Sequence, residues 1–72
     1  MALYRLFFFD PDRHIKSIRD IYAPSEIDAL DVARYHSGAN HTELWYEARR
    51  VQTFNEPKRA DWRRGEERGV KP

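Results

Sequence analysis

The sequence predicts a small α+β domain, an antiparallel sheet with one helix on one face, in the order ββαββ. Two apolar, strand-like segments flank the turn sequence Asp10-Pro11-Asp12. A segment with helix start and stop signals follows them and ends before Gly38. A further aromatic-rich segment comes after this glycine. With 72 residues, the chain has room for one domain.

The first two elements are predicted to form a β-hairpin. Residues 3–9 are rich in aromatic residues, and the turn that ends them is favoured because proline presets φ and aspartate caps turns with its side chain. Residues 15–23 form the second strand. Its large apolar residues do not share one face of a regular strand, so we expect a β-bulge near residues 17–20: Ile15, Ile18, Ile21 and Tyr22.

The third element is predicted to be a helix over residues 25–37. Ser25 is a favourable N-cap, and Glu26 and Asp28 lie near the positive end of the helix dipole. Gly38 is a natural stop. One narrow apolar stripe is expected to face the sheet, formed by Ile27, Ala29, Leu30 and Ala33.

The C-terminal half of the domain admits two interpretations. Residues 42–46 form a third strand, and a turn at 47–49 then leads to a fourth strand at 50–54. Leu44 and Tyr46 are at even positions and Val51 is at an odd position. In one unbroken strand, Val51 would therefore lie on the opposite face from Leu44 and Tyr46. We therefore favour ββαββ, with ββαβ as the alternative.

Residues 1–55 form the predicted domain, and residues 56–72 form a charged basic tail that is flexible or a short helix. The domain has seven Arg and Lys against eight Asp and Glu, and the tail has six against four. The tail composition cannot form a core. It is either a solubilising extension or a peptide that binds a protein partner through Trp62, because Trp and Arg dominate interface hot spots.

Strand parity predicts apolar side chains on both faces of the sheet. The helix is expected to cover Tyr4, Leu6, Phe8, Leu44 and Tyr46. One helix covers only one side of a sheet, so the opposite side needs another cover. We expect a homodimer interface there, formed by Arg5, Phe7, Phe9, Glu43 and Trp45. The alternatives are that the tail folds back over this face through Trp62, or that a different macromolecule covers it.

Chain length also favours association. A chain this short buries only about 60% of its unfolded surface. It contains no cysteine, so neither a disulfide nor a cysteine-based zinc site reinforces it. We expect a non-enzymatic binding or regulatory module that self-associates.

The alternative function is nucleic-acid binding through the same aromatic face and the basic tail. Several cations could contact phosphates or, together with Trp62, a protein partner. They are Arg49, Arg50, Lys58, Arg59, Arg63, Arg64, Arg68 and Lys71. The RNA-binding sheet signature is missing, and acidic residues dilute the field. Nucleic-acid binding is therefore possible but not favoured.

A small metal- or histidine-dependent enzyme is the third hypothesis. Asp10, Asp12 and His14 could hold a divalent ion, and His14 with Asp12 or His41 with Glu43 could exchange a proton. The turn residues give no closed coordination sphere, and no nucleophile, phosphate-loop or dinucleotide motif is present. We predict no catalytic residue, no metal and no cofactor.

The amino-terminal segment does not read as a signal peptide, because Arg5 interrupts its apolar run and Asp10-Pro11 ends it. No stretch reaches about 18 apolar residues. We therefore expect a cytoplasmic protein without membrane contact.

Residues spread over the domain resemble small uncharacterised bacterial proteins of about this length. The shared pattern covers roughly residues 4–51 and consists of Tyr4-Arg5, Phe8, Asp10, His14-Ile15, Ala29, Ala33 and Glu43-Leu44-Trp45 before an arginine pair. That group has no established activity, so the resemblance implies no site residue. Tyr46-Glu47-Ala48 stands where those proteins often have a glycine-containing turn. A weaker likeness, in element order alone, is to small antitoxin-type or phage-encoded inhibitor domains.

Overall fold

A computed structural model describes residues 1–57. These residues form an α+β arrangement of four antiparallel strands and one helix, in the order ββαββ. The elements are β1 (Ala2–Phe9), β2 (Ile15–Ala23), α1 (Glu26–Ser37), β3 (Thr42–Tyr46) and β4 (Arg49–Phe54). The sheet order is β2-β1-β3-β4, so α1 crosses over β1 to connect β2 with β3. The predictions for residues 58–72 lie outside the described residues.

The turn between β1 and β2 is closed by Asp10. Its Oδ1 accepts hydrogen bonds from the backbone N–H groups of Asp12 and His14, each at 2.9 Å. The Asp10 N–H in turn donates to the His14 carbonyl at 2.9 Å. Arg13 takes a positive φ of 70° inside this loop. The aspartate therefore has the turn-capping role that its position predicts.

The bulge in β2 is real but lies closer to the turn than predicted. Phe8 pairs with Ser17 and Phe9 pairs with Ile15, so Lys16 is the extra residue. The prediction of a bulge near residues 17–20 was therefore wrong in position, because Lys16 lies just before that range. Ile15 and Ile18 are three residues apart, so they would lie on opposite sides of a regular strand. Because Lys16 is unpaired, they lie on the same side of the sheet.

Helix α1 begins and ends close to the predicted residues. Ser25 is the N-cap, and its hydroxyl accepts the Asp28 N–H at 3.3 Å. The predicted apolar stripe is wrong at Ile27, which is 73% exposed. The stripe is confirmed at Ala29 and Ala33, which are buried together with Ser37 at a spacing of four, and Leu30 packs against the core. Small side chains at this spacing let the helix backbone approach the sheet closely.

A fourth strand exists, as the parity of Val51 predicts. The turn is two residues long, Glu47 has a φ of 54°, and β4 begins at Arg49, one residue earlier than expected. A second bulge lies opposite the step from Leu44 to Trp45, because these residues pair with Gln52 and Arg50. Val51 is thereby free to pack against the core.

The core lies between the inner sheet face and α1. The predicted inward residues Tyr4, Leu6 and Leu44 are buried, while Phe8 and Tyr46 are half-buried and pack against them. The rings of Tyr4 and Tyr46 lie 5.0 Å apart. Ile21, Ala23 and Phe54 complete the buried cluster. The inward half of the parity prediction is confirmed.

Candidate interaction surface

The sheet face opposite α1, which we call the outer face, is organised in rows by strand pairing. Paired residues of antiparallel strands point to the same side. The central row runs across all four strands from β2 to β4 and contains Asp20, Arg5, Trp45 and Arg50. The next row contains Ile18, Phe7, Glu43 and Thr53. Each row thus combines apolar and polar side chains.

The predicted anchor residues Phe7, Phe9 and Trp45 lie on the outer face but are half-buried rather than fully exposed. Phe7 and Trp45 meet edge to face, with ring centroids 6.3 Å apart. Phe9 stacks on His41 at 4.8 Å. The rings shield one another because they belong to adjacent strands. The aromatic residues therefore form a half-buried apolar layer on this face.

The most exposed apolar side chains of the outer face are on β2, and sequence reasoning missed them. Tyr22 is 65%, Ile18 53% and Ile15 52% exposed. They pair with Leu3, Phe7 and Phe9 respectively, which fixes their side of the sheet. The signal in the sequence was the cluster of apolar residues in β2, but assigning their faces required the position of the bulge.

Two hollows lie between the aromatic residues and their neighbours. The larger has a volume of about 430 Å³ and is lined by Leu3, Arg5, Phe7, Trp45, Tyr46 and Glu47. The smaller has about 210 Å³ and is lined by Phe7, Phe9, Ile15, Glu43 and Trp45. Both are open and shallow, and such shapes suit side chains of a partner surface better than an enclosed small molecule.

The charges on the outer face are balanced within the chain. Arg5 Nε lies 3.2 Å from Asp20 Oδ1, and Arg50 Nη1 lies 3.4 Å from Glu43 Oε2. The indole N–H of Trp45 donates to Glu43 Oε1 at 3.0 Å. Two cations and two carboxylates give this part of the surface no net charge.

The residues predicted to contact nucleic acid or a protein partner do not lie together on one surface. Arg50 lies on the outer face, whereas Arg49 reaches the helix side and pairs with Glu26 at 3.1 Å. The other members of that group lie outside the described residues: Lys58, Arg59, Trp62, Arg63 and Arg64. The described part of the chain therefore offers no continuous basic strip across the sheet.

The turn residues Asp10, Asp12 and His14 do come together, with potential ligand atoms within 4.8 Å of one another. Asp10 Oδ1 is already occupied by two backbone N–H donors. The donation from the His14 N–H is the main cause that lowers the Asp10 pKa from its ordinary value of 3.8. This hydrogen bonding accounts for the cluster as a turn cap.

The remaining histidines do not form an acid–base pair with a carboxylate in the described part of the chain. His36 contacts the ring of Tyr35. The ring nitrogens of His41 are buried, and within residues 1–57 neither has a hydrogen-bond partner. Glu43, the expected proton partner of His41, is bonded to Trp45 and Arg50 instead.

No protein-family model, curated protein or solved structure matches this chain. In the described residues 1–57, no helix has the length and apolar character needed to cross a membrane.

Proposed function

We propose that this chain is a small non-enzymatic binding or regulatory module that self-associates through its outer face. The observation that carries the proposal is the apolar surface that α1 leaves uncovered. It includes three side chains of β2 that are more than half exposed, namely Ile15, Ile18 and Tyr22. Ile18 and Ile15 pair with Phe7 and Phe9, and Phe7 meets Trp45, so one apolar area extends from β2 over β1 to β3. Tyr22 pairs with Leu3 on the other side of the row that contains Asp20 and Arg5.

The size of the outer face supports a second copy as the occupant. The four strands have 8, 9, 5 and 6 residues, so at about 4.8 Å between strands and about 3.4 Å per residue they give a flat area of about 450 Å² per copy. Two such faces bury about 900 Å², close to the roughly 1,000 Å² that a specific protein interface needs. Covering this surface also supplies the reinforcement that a small domain without disulfides needs.

The charge distribution supports a protein partner over a nucleic acid. Nucleic-acid affinity depends on cations that neutralise phosphates. On the outer face, Arg5 and Arg50 lie 3.2 Å and 3.4 Å from a carboxylate, so a phosphate would have to compete with Asp20 and Glu43. A neutral face with interspersed charges is compatible with its own copy.

Sedimentation of the full chain over a wide concentration range tests the proposal. We expect the mass to rise from one chain to two with concentration. The double substitution Phe7→Ser with Trp45→Ser should shift this transition to much higher concentration and give a less stable monomer. These side chains supply central apolar contacts, and truncating such residues dominates interface losses.

A matched control is available on the opposite side of the domain. Ile27 and Tyr35 are 73% and 82% exposed on α1, and Ile27→Ser with Tyr35→Ser removes similar apolar groups without touching the outer face. This variant should dimerise like the wild type. A wild-type chain that stays monomeric at all concentrations contradicts the proposal, including the case in which residues 58–72 cover the face within one chain. Salt-sensitive binding of single-stranded RNA that is lost in the Phe7/Trp45 variant, with the fold retained, would favour the nucleic-acid alternative.

A further inference from the structure

On the basis of the proposed self-association, we propose a specific dimer whose two-fold axis lies between the two stacked sheets, parallel to the strands and centred between β1 and β3. In this arrangement Asp20 of each copy forms an ion pair with Arg50 of the other copy. The proposal deepens the interface assignment, because it states which residues of the two outer faces meet.

Two-fold symmetry limits how two outer faces can stack. A symmetric dimer uses the same patch on both copies, and we take the aligned mode of sheet packing, in which strand directions stay within about 30°. The axis therefore lies between the sheets, either along the strands or across them. An axis along the strands places β2 over β4 and β1 over β3 of the other copy. An axis across the strands places each strand over itself.

The central row decides between these two arrangements. It reads Asp20, Arg5, Trp45, Arg50 from β2 to β4. An axis along the strands reverses this order in the second copy, so Asp20 faces Arg50 and Arg5 faces Trp45. The first contact joins opposite charges, and the second is a cation–π pair. Both contacts occur twice in the dimer.

The neighbouring row is also compatible with this axis. Ile18 falls opposite the short side chain of Thr53, which leaves space for an exposed apolar group. Phe7 falls opposite Glu43, whose carboxylate is held by Trp45 and Arg50 within its own copy. The charged atoms of Glu43 are therefore satisfied before the two faces meet.

An axis across the strands gives poorer contacts. Centred on the central row, it sets Asp20 against Asp20 and Arg50 against Arg50. Like charges placed opposite each other weaken an interface. Centred on the next row, it sets Asp20 near Ile15 and Arg5 near Phe9, so charged groups are buried against apolar ones. Asp20 and Arg5 stay 3.2 Å apart in that case, but removing such a pair from water is costly even when the pair is intact.

Sheet twist does not remove the proposed ion pair. Packed sheets lie about 10 Å apart and are rotated by about 30°. For edge strands about 7 Å from the axis, this rotation displaces facing residues by about 4 Å. The flexible side chain of Arg50 can cover such a displacement. Arg50 uses Nη1 for Glu43, at 3.4 Å, and its guanidinium has further N–H donors that can reach Asp20 of the other copy while this bond is kept.

Charge reversal in the full chain tests the arrangement. Asp20→Arg places two guanidinium groups opposite each other across the interface, and Arg50→Asp places two carboxylates there. We expect each single substitution to raise the dimer dissociation constant about tenfold, in line with like-charge contacts at interfaces. The double substitution D20R/R50D should return it to within about threefold of the wild type, because the opposite-charge contact is restored with reversed polarity.

The recovery of dimer affinity in D20R/R50D is diagnostic, because a contact between residues 20 and 50 cannot form within one copy. Asp20 and Arg50 are three strands apart, about 14 Å, and salt screens exposed charges beyond about 10 Å at 0.1 M. Within each copy the double variant has like-charge neighbours at Arg5 and Glu43, which disfavour it. An equimolar mixture of the two single variants should also form heterodimers tighter than either homodimer.

The ion pair of Asp31 and Arg34 on α1 provides matched controls. These side chains are 3.5 Å apart and mostly exposed, so D31R and R34D change charge equally but away from the outer face, and both should dimerise like the wild type. A dimeric wild type whose single outer-face variants are unaffected, or whose double variant is weaker than both singles, overturns this axis and leaves self-association intact. A wild type that never dimerises removes the proposed function itself.

Discussion

The hydroxyl of Thr42 donates a hydrogen bond to the hydroxyl of Ser37, 2.5 Å away, and this pair joins the end of α1 to the start of β3. The direction follows from the other contact of Ser37, whose single proton goes to the Ala33 carbonyl at 2.7 Å. Both side chains are essentially inaccessible to water. A buried polar pair of this kind stabilises only while both partners are present.

Removing the hydroxyl of Ser37 should therefore cost more than removing the hydroxyl of Thr42. Ser37→Ala leaves the Thr42 hydroxyl buried without an acceptor, and we expect the free energy of unfolding to fall by about 1–3 kcal/mol. Thr42→Val keeps the Ser37 bond to Ala33, so its cost is about 1 kcal/mol. The double variant should lose less than the two single losses combined. Urea unfolding of the four proteins measures the coupling: strict additivity would contradict the hydrogen bond, and a larger loss for Thr42→Val than for Ser37→Ala would contradict its direction.

Much of the fold was predictable because its signals are local. Ser25, Gly38 and Asp10 act through their own backbone neighbours, so the helix ends and the first turn follow from residue type. The fourth strand was predictable from the parity of Val51. Residues that act locally have the same effect in almost any tertiary setting.

The rest depended on information that a single strand does not carry. Lys16 and Val51 are bulged residues, and a bulge reverses the facing of all residues beyond it. The exposed apolar side chains of Ile18 and Tyr22 were missed for this reason. The predicted stripe included Ala29 and Ala33 correctly, but Ile27 was placed wrongly because small residues, and not the largest apolar ones, set the contact face of α1. The aromatic anchors were found because β1 is regular over most of its length.

Gly38 should be intolerant of substitution. Its φ of 56° and ψ of −124° match the first central position of a type II′ turn. The Asn40 N–H closes that turn by donating to the Ser37 carbonyl at 2.8 Å. A Cβ at Gly38 would meet no atom within 4 Å, so the cost of Gly38→Ala is backbone strain, about 1–3 kcal/mol.

Ala39 provides the control for this prediction, because it lies next to Gly38 in the same exposed turn. Ala39→Gly adds chain freedom in the unfolded state and should cost less than about 1 kcal/mol. Thermal unfolding of both variants gives the comparison. Equal losses at the two positions would show that strain at Gly38 is not the cause.

The turn aspartate gives a prediction for acid stability. The pKa of Asp10 is lowered in the folded chain, mainly by the His14 N–H, from an ordinary value of 3.8. The charged form therefore stabilises the fold fully above that value, and this contribution disappears as the pH falls through the lowered folded value. Asp10→Asn keeps an oxygen acceptor but does not titrate.

We expect wild type to be more stable than the Asp10→Asn variant near neutral pH and to lose this advantage in strongly acidic solution. Chemical unfolding at a series of pH values measures the difference. Asp31→Asn removes a carboxylate on the exposed side of α1, outside this turn, and is the control for the change of charge. An advantage that grows on acidification would contradict the sign of the pKa shift.

The close approach of α1 to the sheet gives the last prediction. Ala33 is completely buried against the core, and Ala33→Leu adds side-chain volume where no space exists. Overpacking of this kind costs about 1–3 kcal/mol, through shifted backbone or strained rotamers. Ile27→Leu also changes an apolar residue of the helix, but Ile27 is on its exposed side, so the change should stay within about 0.5 kcal/mol. Urea unfolding compares the two variants. If Ile27→Leu were the more destabilising substitution, α1 would have to be rotated about its axis so that Ile27 faces the core.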